Sequence, residues 1–169
     1  MKSKLSKREW EVLLRKLSNG EITDSEIGPA IVHLSKPLDA QRIATAKETI
    51  LRHLSHQNGW ARHEAMWFIR WAGFREENTA LIKALRDDQD PDNRGYAAMC
   101  IASLMRGTSD TASVNALKTA VLDEKEEDAV RTNAYAALIE VVTSASGSDF
   151  CIGKKNLNDI DWQWVSTLN

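Results

Sequence analysis

The sequence predicts an all-α fold of short antiparallel helices that repeat. Three observations carry this. Apolar residues recur at helical spacing along most of the chain. Strand signals are missing: nothing alternates apolar and polar over a useful length, and no Asn-Gly or Asp-Gly pair lies between β-branched runs. One helical pattern also returns twice further along the chain.

The elements follow in order. Trp10, Leu13, Leu14 and Leu17 fit the i, i+3, i+4, i+7 spacing of one helix face. Ser6 and Glu9 stand at capping-box spacing before it, and Asn19-Gly20 supplies its stop. Ile27, Ala30, Ile31 and Leu34 mark a second helix, with Thr23 and Glu26 again spaced as a capping box. Gly28-Pro29 argues that this helix starts late, because proline is tolerated near a first turn. A third helix is expected from about Asp39 to Leu54, with Ile43, Ala46, Ile50 and Leu54 inward. Further helices are expected over about 59–72, 78–85, 92–106, 110–122 and 128–143. "TSASGSD" (143–149) reads as a small-residue loop. A last short helix is expected in "NDIDWQWVSTL", capped by Asn158, with Ile160, Trp164 and Leu168 on one face.

The repeat appears when "NGWARHEAMWFIRWA", "DPDNRGYAAMCIASL" and "EDAVRTNAYAALIEV" are aligned from Asn58, Asp90 and Glu127. Arg62, Arg94 and Arg131 fall in register, as do Ala65, Ala97 and Ala134, then Ile69, Ile101 and Leu138. The copies are 32 and 37 residues apart, a period suited to helical-hairpin solenoids. Small Ala positions let helices approach closely, and stacking buries an apolar face that one unit cannot bury alone. Each Arg follows an Asn, Asp or Glu by four residues, at the expected helix start. The Arg ladder is expected to bond to capping carboxylates or to carbonyls between repeats.

These segments resemble the second helices of HEAT repeats, with the pattern Asp-x-x-Val-Arg-x-x-Ala. The Val position is Val130 in the last copy, Asn93 in the middle one and Ala61 in the first. The resemblance implies a right-handed α–α solenoid of about four helix pairs whose second helices line a concave face. It also implies binding surfaces rather than chemistry. The expected layout is a single domain over 1–169, with a degenerate N-terminal pair (6–35), three repeats (39–143) and a C-terminal cap (150–169).

Composition narrows the function classes. The chain is 43% hydrophobic and 27% charged, ordinary for a soluble fold with one sizeable core. No apolar run approaches the roughly 20 residues of a membrane span, and no apolar core follows the basic N-terminus as in a signal peptide. Cys100 and Cys151 have no metal-type spacing and read as reduced thiols, so a cytoplasmic location is expected. His53 and His56 lie at i, i+3 near His63, but a metal needs three or four convergent ligands, and none is expected to bind. Serine-hydrolase, phosphate-loop and paired-cysteine motifs are absent, so neither catalysis nor a cofactor is expected.

Charge is uneven. Residues 41–86 carry eight Lys/Arg against four Asp/Glu, and residues 87–150 carry five against twelve. Two candidate binding surfaces follow. His63, Trp67, Arg70 and Trp71 replace small or polar residues of the other copies, and Trp and Arg are residue types that anchor interfaces. Trp67 and Trp71 either line the groove or pack on a neighbouring helix. Asp87, Asp88, Asp90 and Asp92 cluster at one turn, and Asp123, Glu124, Glu126, Glu127 and Asp128 at the next. Stacked turns would make them an acidic ridge that steers a basic partner, or else a solvated edge of helix caps. The leading expectation is a protein-binding module, in its most specific form an immunity protein that neutralises a toxin. The rival is a nucleic-acid-binding or HEAT-like DNA glycosylase-type protein using the same Trp/Arg stripe. The acidic balance counts against it, because phosphate contacts supply most nonspecific DNA affinity.

Overall fold

The structure, a computed structural model, describes residues 5–36, 39–144 and 156–168. Cys151, most of the predicted 143–149 loop and the start of the predicted cap lie outside the described residues. Among those described there are helices and no strands, as the periodicity predicts. No helix among them is long and apolar enough to cross a membrane. The chain divides into two compact units, Met1–Ala72 and Gly73–Asn169.

The first unit holds α1 (Lys7–Ser18), α2 (Asp24–Ser35), α3 (Ala40–Leu51) and α4 (Gly59–Ala72), with a 3-10 turn at Arg52–Ser55. These are two hairpins, α1/α2 and α3/α4, with α2 packed on α4 and α1 on α3. The Ser6–Glu9 box closes reciprocally: Ser6 N donates to Glu9 Oε2 (2.8 Å) and Glu9 N to Ser6 Oγ (3.3 Å). In α2 the late start expected from Gly28-Pro29 is incorrect. The helix begins at Asp24, with Pro29 inside it. The Glu26 carboxylate accepts from both Thr23 N (3.3 Å) and Thr23 Oγ1 (2.6 Å), and this cap sets the boundary ahead of the proline. Gly28 has a separate reason: a Cβ there would lie 2.7 Å from the Trp60 indole, which rests on α2.

The second unit holds α5 (Asn78–Asp87), α6 (Pro91–Met105), α7 (Thr111–Leu122), α8 (Asp128–Thr143) and a short α9 (Trp162–Thr167). Again two hairpins stack, α5 on α7 and α6 on α8, which is the arrangement of an all-α, HEAT-like solenoid. Close approach of α6 and α8 uses Gly95, where a Cβ would meet Asn133 Nδ2 at 2.7 Å. Asn78 Nδ2 donates to Ser113 Oγ (2.8 Å) and ties the starts of α5 and α7 together.

The aligned columns are core columns. Ala65, Ala97, Ala134, Ile69, Ile101 and Leu138 are all fully buried. Phe68, Cys100 and Ala137 are buried beside them, and at the next aligned position Leu104 and Val141 are buried while Ala72 is half-exposed. Met66 is also fully buried.

The C-terminal tail corrects two details. Asn156 caps the 3-10 turn at Leu157–Asp159 and Asp161 caps α9, in place of Asn158. Ile160 and Val165 are its buried residues, whereas Trp164 and Leu168 are half-exposed. The tail lies against α8 and α7. Arg131 stands over the Trp162 ring (5.2 Å), Trp164 meets Tyr135 edge-on (6.0 Å), and Asp161 N donates to Tyr135 Oη (3.2 Å). Lys118 Nζ donates to the Ser166 carbonyl (3.3 Å).

Candidate functional site

Helix α4 starts at a cap the chain supplies locally: Asn58 Oδ1 accepts from Trp60 N (2.9 Å), and Asn58 Nδ2 donates to the Asp24 carbonyl (2.7 Å). Its buried face carries Ala61, Arg62, Ala65, Met66, Phe68 and Ile69. The other face carries the four predicted residues. Arg70 and Trp71 are exposed, and His63 and Trp67 are half-buried. Trp67 and Trp71 stack on each other, with ring centroids 5.8 Å apart and planes 7° from parallel. Trp71 keeps 42% of its surface open to solvent in spite of this contact.

Trp60 lies outside the four residues predicted for the stripe. It is 49% exposed, and its indole N–H donates to Glu64 Oε1 (2.9 Å). The signal was present: positions 60, 64, 67 and 71 are spaced 4, 3 and 4, so all four share one helix face. The surface on α4 is therefore an aromatic stripe of Trp60, Trp67 and Trp71, with His63 and Arg70 beside it.

The arginine ladder faces inward. Arg62 is buried, and its Nη1 donates to the carbonyls of His56 (2.8 Å) and Gln57 (3.0 Å). Arg94 Nη1 donates to the Asp88 carbonyl (2.8 Å), and buried Arg131 donates from Nε to the Val121 carbonyl (3.0 Å). Each guanidinium thus satisfies carbonyls at the end of the preceding helix or in the turn before its own.

Arg94 does more. Its Nε and Nη2 donate to both Glu126 oxygens (2.7 Å each), with side chains only 17% and 12% exposed. The two acidic turns are joined through this residue. Hydrogen bonding to Arg94 holds the Glu126 carboxyl below its usual range and raises the guanidinium in return. Other members of the acidic set are also engaged. Asp87 accepts from Arg86 (2.6 and 2.8 Å) and Lys83 (3.0 Å), and the bonds to Arg86, then Lys83, push its carboxyl far down. The Oδ1 atoms of Asp88, Asp90 and Asp123 accept from the backbone N–H two residues on. Asp92, Glu124, Glu127 and Asp128 remain as exposed acids on this edge.

The histidine pair sits elsewhere. His53 and His56 rings are 5.7 Å apart, and His56 Nε2 lies 3.7 Å from Asp24 Oδ1. Burial, ahead of all other causes, lowers the His53 pKa, while its Nδ1 bonds to the Thr49 carbonyl (2.9 Å). Among the described residues no group of three His, Cys, Asp or Glu is placed to hold a metal ion.

Comparison with known families matches residues 78–148 to the family described as HEAT repeats. No curated protein matches the chain.

Proposed function

We propose, from the premise that residues 78–148 are HEAT repeats, that this protein is a non-enzymatic module that binds another protein. HEAT repeats characteristically serve as protein-interaction surfaces. The observation that carries the reading to particular residues is the stacked Trp67/Trp71 pair with exposed Trp60 on α4. Stacked, half-open indoles offer large apolar area with little rotamer freedom left to lose, which is the physical profile of an interface anchor. Arg70 adds a cation at one end of the stripe, and His63 flanks Trp67. The exposed acids Asp92, Glu124, Glu127 and Asp128 support a basic partner, because they form a field rather than a pocket. The most specific form of the proposal is an immunity protein, acting in the cytoplasm, that covers a basic toxin.

The test uses the product of the gene encoded beside this one. Titration calorimetry should show a complex with that product, and co-expression should relieve its toxicity. Trp71→Ala with Arg70→Ala should weaken the complex by at least about tenfold, or about 1.4 kcal/mol, without lowering helicity. An unchanged affinity in that double variant would remove the α4 stripe from the interface. Generic duplex DNA at low salt is the counter-test. Micromolar binding that weakens steeply with salt would replace this proposal with the nucleic-acid reading.

A further inference from the structure

The basic excess of the first unit is only partly on the α4 stripe. Arg15 and Arg42 line a groove between α1 and α3, where Arg42 is also paired with Asp39 (3.7 Å), and Arg52 lines its continuation between the α1–α2 turn and the 3-10 turn. It consists of two adjoining cavities of about 440 and 330 Å³, which share Ser18 and Thr49. Its walls include apolar Leu14 in the first cavity and Leu17 and Ile27 in the second. Arg15 is exposed and has no acid within ion-pair distance among the described residues. Arg52 bonds only weakly, to the Glu48 carbonyl at 3.4 Å and Thr49 Oγ1 at 3.5 Å.

We propose that the α1–α3 groove is a second docking surface, taking an acidic peptide segment with interspersed apolar side chains from a protein partner. The rim supplies the charge complement, and the apolar walls supply somewhere for the intervening side chains to go. The dimensions agree. Helix α1 has 12 residues, roughly 18 Å, which is the span of about five or six residues of extended chain. The lining also distinguishes a peptide from a nucleic acid. Trp10 is buried, its indole N–H donates to the Leu34 carbonyl (3.1 Å), and Arg42 stands over its ring (5.8 Å), so the one indole of the lining is closed to a base, and the rings left at the second cavity are the half-buried His53 and His56. Glu11 and Asp24 also interrupt the positive rim. A continuous phosphate backbone meets repulsion there, whereas a peptide can place an apolar or polar residue opposite each acid. This surface is separate from the α4 stripe, so either can fail alone.

The probe is a fluorescein-labelled peptide of about ten residues that alternates Glu or Asp with Leu. It is titrated with the full chain and read by anisotropy. Saturable binding tighter than about 100 µM is expected, weakening about tenfold in Arg15→Glu combined with Arg52→Gln. Arg15→Glu alone, at an exposed position, should give part of that loss with unchanged melting. Lys16→Glu carries the same charge reversal on a different face of α1 and should leave binding within about twofold. The proposal is overturned by any of four results: no saturation, equal loss in Lys16→Glu, tighter binding of an oligothymidine of equal charge, or self-association of the chain that Arg15→Glu abolishes. The third would assign the groove to nucleic acid, and the fourth to the acidic turns of a second copy.

Discussion

At the scale of single residues, Arg94 and Glu126 decide most. Their doubly bonded, largely buried pair makes Arg94→Ala costly, by about 2–4 kcal/mol, because it leaves a carboxylate without its donors. Urea unfolding at neutral pH checks this. The pH dependence has a definite sign. The Glu126 carboxyl is lowered in the folded state, so its contribution is complete above the unfolded value of about 4.3. It is lost as pH falls through the lower folded value. Stability measured from about pH 6 down to about pH 2 should therefore fall less steeply in Glu126→Gln than in the wild type. An equal slope in both would show that other carboxylates account for the acid limb. None of this was legible in sequence. Glu126 is one of five acids in a run, and its partner lies 32 residues away. The same limit applied to Trp67 and Trp71: their spacing puts them on one face, but only the rotamers decide whether they stack.

At the scale of elements, legibility was much higher, because helix limits follow from caps and periodicity. The starts of α1 and α8 and the whole of α7 fall where the pattern puts them. The failure at α2 shows which local rule dominates: two hydrogen bonds to the Glu26 carboxylate outweighed a proline that a helix interior disfavours. The loop from α6 to α7 has a demand that no spacing reveals. Gly107 has φ of 65°, its N–H donates to the Glu140 carbonyl (3.0 Å), and a Cβ there would lie 2.0 Å from Ser144 Oγ. Gly107→Ala should cost at least about 1–2 kcal/mol from the backbone alone. A melting temperature equal to wild type would contradict that account. The tail makes a stronger case. Removing residues 156–169 uncovers the surface under Ile160 and Val165, and should cost about 3–6 kcal/mol. Calorimetry of the truncated chain measures it, and a loss below about 1 kcal/mol would mean the tail adds nothing to α8.

At the scale of the molecule, charge is partitioned by unit. Residues 1–72 carry twelve Lys/Arg against eight Asp/Glu, and residues 73–169 carry ten against sixteen. Such a division acts on encounter rates more than on fold. For a basic partner, Glu124→Lys with Asp128→Lys should slow association and flatten its salt dependence, while Trp71→Ala should mainly speed dissociation. Stopped-flow kinetics at two salt concentrations separates the two effects, and an unaltered association rate would remove the acidic edge from steering. The arginine ladder has a consequence of another kind, for the order in which the chain folds. Arg62, Arg94 and Arg131 reach carbonyls only six, six and ten residues back, whereas the Arg94–Glu126 pair closes a loop of 32. Short loops close sooner and at lower entropic cost. The hairpins α3/α4, α5/α6 and α7/α8 therefore each carry an early fastener, and within the second unit α5/α6 and α7/α8 zip together afterwards onto turns that are already set.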